Sequence, residues 1–315
     1  MRLSAIHNIA CALVLGAALS GDAQTATHSG PMQVVHGRPY VMVLVNGRGP
    51  FRFIIDTGTG GQAIITSELA AQLALPLAGE ARLNDPTGQG GQSAPLRLID
   101  SLQVAGVEFK AIRAVEHRLP NADGDCQGML GFTLFHNFLL TLDYPTGRIL
   151  LAPGGLEPDG GNSVHPFRMP EGVPIAALII GNIEVEAQFD SGGAGLSLPE
   201  RLASQLHFSE RPTIVGKGQS LSTRFPIKAA KLATDIRLGD VTLDRPWVEI
   251  NAAFPLANFG SCAMQHFAIT FDQANLLMRI DGPQKRITLG VTPTPLRLDN
   301  APSRDSGQLA LVPVG

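Results

Sequence analysis

FRFIIDTGTGGQA, residues 51–63, begins as an apolar strand and breaks at Asp56-Thr57-Gly58. VEAQFDSGGAG, residues 185–195, repeats the arrangement, with Asp190-Ser191-Gly192 in the same place. Each time a carboxylate ends a buried strand, and a small hydroxyl residue and a glycine follow. Burying one carboxylate without a partner is costly. Two such sites in one chain imply that each is the other's partner.

The surrounding sequence repeats with them. LASQL at 202–206 mirrors LAAQL at 69–73, Leu238-Gly239-Asp240 mirrors Ala105-Gly106, and Phe259-Gly260 mirrors Leu130-Gly131. Asp190 lies 134 positions after Asp56, Gly239 lies 133 after Gly106, and Gly260 lies 129 after Gly131. So constant an offset over several features marks an internal duplication. Strand-like runs at 32–46, 51–55, 102–115, 138–143 and 148–151 are separated by Gly- and Pro-rich turns, and the series recurs from residue 175. A helix is expected from Thr66 or Ser67 to about Leu75, and a second with Pro199 near its first turn. PGGLEPDGGN, residues 153–162, has the composition of a linker. The expected fold class is all-β and bilobal, with short helices. The first lobe covers 31–152, the linker 153–164 and the second lobe 165–291. The remainder, 292–315, reads as an extended or disordered tail.

Composition narrows the classes of function. Arg2 followed by the apolar run 9–19 and a small-residue site at Gly21-Asp22-Ala23 reads as a signal peptide over 1–23. The expected location is therefore periplasmic or secreted. That run is too short to span a bilayer, and no later stretch is longer. The formal net charge is −3 with no basic cluster, which argues against a nucleic-acid partner. The 35 glycines and 23 prolines favour a turn-rich β protein over a helical bundle. After signal cleavage Cys126 and Cys262 remain. Export allows a disulfide between them, and two buried thiols fit equally well. A catalytic thiol fits poorly, because neither has a Cys-with-His signature around it.

If the two halves face each other across a pseudo-two-fold axis, Asp56 and Asp190 meet on it. At about 3 Å and an effective dielectric of ~20, ionising both costs roughly 5 kcal/mol. The pair then holds one shared proton over a wide acidic range. One carboxyl takes a proton from water while the other donates to a carbonyl oxygen, which activates water for attack on an amide. This chemistry calls for no metal and no cofactor. Gly58 and Gly192 let the backbone pass close to the carboxylates, and Thr57 and Ser191 supply hydroxyls able to cross-link the two loops.

On these residues, together with Met129-Leu130-Gly131 and Asn258-Phe259-Gly260, the chain resembles aspartic peptidases of the pepsin and retropepsin type. The resemblance covers about residues 32–291. It implies an acid-protease fold, catalytic roles for Asp56 and Asp190, and an interlobe hydrogen-bond grip by Thr57 and Ser191. Thr59 joins Gly58 and Gly192 as support for the catalytic loops. The implied partner is a peptide or unfolded-protein substrate, and one chain is sufficient as a monomer. There is no flap tyrosine: the two tyrosines are Tyr40 and Tyr144. Each half instead carries a glycine-rich stretch, Gly88-Gln89-Gly90-Gly91 and Gly216-Lys217-Gly218, expected to form substrate-covering tips. Asn258 stands where the pattern wants an apolar residue, and Gly193 offers no hydroxyl where Thr59 does. A non-catalytic peptide- or protein-binding module on the same fold is the alternative class.

Other motifs carry less. Gly58-Thr59-Gly60 with Ala63 is a weak dinucleotide fingerprint with no counterpart in the second half. Asp123-Gly124-Asp125 lacks the spacing of a calcium loop. The eight histidines are scattered without HExxH, and no GxSxG elbow occurs. Trp247 and Phe254 read as core residues before cleft residues.

Overall fold

The computed structural model describes residues 26–88, 90–119, 126–220, 223–290 and 310–311. The signal-peptide reading of residues 1–23, Gln89, and most of the 292–315 tail lie outside the described residues.

The described residues form strands with three short α-helices, and the strands make three sheets. A nine-stranded sheet holds eight strands of the first half and, at its edge, Ala310–Leu311 from the C-terminal stretch, opposite Asn84 and Leu83, and a ten-stranded sheet holds the second half. A six-stranded sheet is shared, in the order His28–Pro31, Arg148–Ala152, Leu139–Asp143, Ala268–Asp272, Leu277–Asp281, Val164–Pro166. Its two central strands are repeat equivalents that pair antiparallel, Thr141 opposite Thr270. Their hydroxyls are 2.8 Å apart, so the symmetry axis runs between them. Two identical elements meeting antiparallel on an axis form a self-complementary contact, as in a two-fold dimer interface.

Strand Arg48–Asp56 is apolar on both faces in its second half because both are covered. Phe53 and Ile55 point into the main core, while Ile54 joins a second cluster with Ile64 and Met129. Continuous rather than alternating apolarity is the expected signature of such a strand. The main core runs from one lobe into the other, and Phe132, Phe167 and Phe271 touch edge-on or tilted at 5.2–6.3 Å.

The first helix spans Ser67–Gln72, shorter than the sequence suggested. Thr66 caps it, accepting from Leu69 N at 3.2 Å. It ends early because Ala74 takes a left-handed φ of +49°. Leu75 N then reaches back to Ala70 O at 3.0 Å and Ala74 N to Ala71 O at 3.1 Å, closing the last turn. The second helix is Glu200–Ala203, with Pro199 just before it.

The stretch expected as a linker is held down. Leu156 N donates to Asp272 Oδ2 at 2.8 Å. The Asp159 carboxylate accepts from the backbone N–H groups of Gly161, Asn162, Ser163 and Val164. Ser163 N–H, with the other donors, holds the Asp159 carboxyl well below the usual carboxylate range. Of the two readings left open for Cys126 and Cys262, the disulfide is not formed. Cys126 packs against the second cluster of the first half and donates to Gly128 O at 3.2 Å. Cys262 lies in the helix Ser261–Met264 after the matching strand of the other half, where burial pushes its thiol up to about 12. Positions on opposite sides of repeat-equivalent strands are not brought together by the symmetry.

Candidate active site

Asp56 is the last residue of strand Arg48–Asp56, and Asp190 the last of Ile183–Asp190. Each strand runs parallel to the apolar-apolar-Gly strand of its own half in the same register, Asp56 opposite Gly131 and Asp190 opposite Gly260. The loop after each aspartate must pass over that glycine. A Cβ on Gly131 would lie 2.0 Å from Gly61 O, and one on Gly260 would lie 2.3 Å from Gly195 O. The crossings are hydrogen-bonded: Gly131 N to Gln62 O at 2.9 Å, Phe132 N to Thr59 O at 2.8 Å, Gly260 N to Gly195 O at 3.1 Å and Ser261 N to Gly193 O at 2.8 Å.

Thr57 and Ser191 interlock across the axis. Thr57 Oγ1 donates to Phe189 O at 2.7 Å and accepts from Ser191 N at 2.9 Å. Ser191 Oγ donates to Ile55 O at 2.7 Å and accepts from Thr57 N at 3.0 Å. All four bonds are buried, and they fix the Asp56 loop against the Asp190 loop.

The glycines that follow admit the carboxylate of the opposite lobe. A Cβ on Gly58 would fall 2.5 Å from Asp190 Oδ1, and one on Gly192 2.3 Å from Asp56 Cγ. Both aspartates are 1 % exposed, and their carboxyls hydrogen-bond to each other. Burial first, and then the Asp190 charge, push the Asp56 carboxyl well above its usual range. Bonds from Thr59 Oγ1 (2.9 Å, to Oδ2) and Gly58 N (2.8 Å, to Oδ1) pull the other way.

The second half departs from this pattern as its sequence does. With no hydroxyl at Gly193, Asp190 Oδ1 takes two backbone donors instead, Gly192 N at 3.0 Å and Gly193 N at 2.8 Å. A Cβ at Gly193 would fall 2.3 Å from Asp190 Oδ2 and 2.8 Å from Asn258 Nδ2. The polar Asn258 and the bare Gly193 therefore face the same small gap beside the carboxylate.

A cleft of about 610 Å³ lies beside the carboxylate loops, with Gly58 and Gln188 in its wall and Asp85, Pro86, Gly88 and Gly90 at its rim. The rim belongs to a hairpin of Leu77–Asn84 and Gly91–Val104, so the first glycine-rich stretch does form a tip. The second does not. Gly216, Lys217 and Gly218 lie inside strand Thr213–Gln219, and the turn comes after them, between Gln219 and Arg224. Their glycines serve packing: Gly216 sits at a register shift, and a Cβ on Gly218 would fall 2.4 Å from the Phe225 ring. The two hairpins meet through side chains absent from the sequence reading. Ser220 Oγ donates to Asp85 Oδ2 at 2.8 Å, while Asp85 Oδ1 accepts from Thr87 N and Oγ1.

Sequence reasoning also missed Arg38. It is 8 % exposed, and its Nε donates to Gly192 O at 2.9 Å, so the first lobe braces the loop that carries Asp190. The neighbouring turn reaches the same lobe, where a Cβ on Gly37 would fall 2.8 Å from Ser261 Oγ. The one available signal was a cation opening an otherwise apolar strand, RPYVMVLV. Neither tyrosine overlies the cleft as a flap residue would. Tyr40 is buried beneath Arg52, whose guanidinium is 3.8 Å from the ring centroid. Tyr144 is buried in the core, and burial followed by the Asp190 and Asp56 charges pushes its phenol up.

Among the described residues no His, Cys, Asp or Glu side chains cluster as metal ligands, and no helix is long and apolar enough to cross a membrane. No curated protein matches this chain. Residues 41–134, which carry the first carboxylate, its loop and the first hairpin, match the model of the aspartyl protease family.

Proposed function

We propose that the chain is an aspartic endopeptidase that hydrolyses peptide bonds with water activated between Asp56 and Asp190. The observation that carries the reading is the pair of buried carboxyls in mutual hydrogen-bond contact, beside a cleft that has Gly58 in its wall. Asp56 holds the shared proton, consistent with the upward push on its carboxyl. Asp190 takes a proton from the water as its oxygen attacks the scissile carbonyl carbon, and Asp56 gives its proton to the carbonyl oxygen. The C–N bond of the tetrahedral intermediate then breaks as the departing amine takes the proton held by Asp190 and one diol hydroxyl returns its proton to Asp56, which leaves a carboxylic acid and restores the shared proton. The substrate lies extended under the two hairpins, its main chain supplying affinity and its side chains preference. Both half-sites sit on one chain, so a monomer suffices. The signal-peptide reading places the reaction outside the cytoplasm.

Digestion of a peptide library from acid to neutral pH, with Asp56→Asn as control, tests this. Cleavage with an acidic optimum is expected. Peptides bound yet uncut at every pH would make the chain a binding module instead. The hairpin contact gives a second expectation. Asp85→Ala and Ser220→Ala each remove the hydrogen bond that joins the two hairpins, along with bonds to Thr87 or Thr223 inside their own turn, so KM rises roughly fivefold to tenfold while kcat moves less. Steady-state kinetics separate the two constants, and an unchanged KM would count against the roof assignment.

A further inference from the structure

Two charged residues of the cleft have no part in the carboxylate pair or in the contact between the hairpins. Arg82 lines the cleft from the first hairpin, and Glu171 lines it from a turn at the start of the second lobe. Both are exposed. Among the described residues neither forms an ion pair.

Strand alternation decides where Arg82 points. In strand Leu77–Asn84, Leu83 is buried in the second apolar cluster and Ala81 packs against it. Successive side chains of a strand point to opposite faces. Arg82 and Asn84 therefore share the other face, and both line the cleft. Asn84 Oδ1 accepts from Arg82 Nε at 3.2 Å. That bond orients the guanidinium and leaves its two Nη groups without an acceptor among the described residues. The rim carboxylate, Asp85, is already engaged by Ser220 and Thr87. A planar fork of N–H donors, oriented by a neighbour, suits a carboxylate held by two bonds.

Glu171 sits in the turn Pro170–Val173, closed by Val173 N donating to Pro170 O at 3.1 Å. Both central residues take positive φ, Glu171 at +54° and Gly172 at +77°. Glycine, asparagine and aspartate suit such a turn, and a longer side chain is strained there. The turn is packed against the loop that follows Asp56: a Cβ on Gly172 would fall 2.6 Å from Gly60 O. Turn geometry alone would choose asparagine at 171. What glutamate adds is a charge in the cleft wall.

We infer that the cleft is bipolar, with Arg82 a subsite for an acidic substrate side chain and Glu171 a subsite for a basic one. The selected peptides carry the two charges near each other, on residues bound in the same cleft. This rests on the reading of the cleft as a peptide groove but adds which peptides it selects.

The test uses two readouts. Peptides carry glutamate or its neutral isostere glutamine, and arginine or its neutral isostere citrulline, at each position flanking the bond. Wild-type kcat/KM is measured at about pH 6, where acidic substrate side chains are ionised. The same peptides are titrated against the uncleaving Asp56→Asn chain by fluorescence anisotropy. Glutamate should exceed glutamine about fivefold or more at one position, and arginine should exceed citrulline by as much at another, in cleavage and in binding. Arg82→Gln should abolish the first preference and keep the second, and Arg82→Glu should turn the first toward arginine. Glu171→Gln should abolish only the second. Glu171→Asn, which fits the turn better, should melt no lower than wild type and still lose the arginine preference. A structural role for Glu171 would not separate the two. Equal use of the charged and neutral isosteres, or preferences that survive these variants, overturns the inference. Preferences in binding without any cleavage would sustain the subsites while sinking the peptidase reading, and cleavage indifferent to both charges would do the reverse.

Discussion

Asp56→Asn and Asp190→Asn each lower kcat/KM for peptide cleavage by at least about 10³-fold, because each removes one partner of the proton exchange. Asn preserves the shape and can still accept the Gly58 or Gly192 N–H, so the fold survives. The stability of Asp56→Asn then carries a sign. The folded-state Asp56 carboxyl is raised above its unfolded value, so the folded chain binds the proton more tightly. Its contribution is fully present below the unfolded value, about pH 3.9. It is lost as pH rises through the raised value, where a buried charge must be carried. Wild type and Asp56→Asn should therefore melt alike near pH 3, and the variant should melt higher at pH 7. Thermal melts across that range check this. A wild type that is the more stable of the two at neutral pH would contradict the protonated Asp56, and undiminished cleavage would remove the dyad.

Thr57→Val should unfold the chain on the order of 10 °C below wild type. The substitution leaves the Phe189 carbonyl and the Ser191 N–H without their partners in a dry interior. Two orphaned buried groups cost about 2–5 kcal/mol, and a chain of this size loses about 2–4 °C for each kcal/mol. Ser191→Ala strands the Ile55 carbonyl and the Thr57 N–H in the same way and should behave alike. The double variant should fall short of the sum, since the second loss acts on a grip already broken. Thr57→Ser keeps the hydroxyl and should stay within a few degrees of wild type. Calorimetry on the four variants decides it. Additive losses, or a Thr57→Ser as damaging as Thr57→Val, would mean that the hydroxyls do not act as one unit.

The carboxylate pair was legible in the sequence because duplication writes it twice. Asp56 and Asp190 follow matching apolar strands, and symmetry alone then brings them to one axis. Thr57, Ser191, Gly58 and Gly192 were legible for the same reason, since their roles depend only on local offset from the aspartates. The Gly216-Lys217-Gly218 stretch misled because glycine has more than one use. Its composition suits a turn, but what demands it is the Phe225 ring and a register shift within its own strand, between Ile214 and Gly216. The choice between a disulfide and two thiols stayed open for a similar reason: two cysteines and an oxidising compartment say nothing of which end of a strand each occupies.

The chain's order of residues alone settled the strand periodicity, the doubling and the two acids, because these are set by local pattern and repeat. Only the folded chain decided that Arg38 braces the opposite loop, that Asp85 and Ser220 join the hairpins, and that Arg82 and Glu171 line one cleft. These partners lie far apart along the chain, and strand register, which decides who faces whom, is fixed by how whole sheets pack.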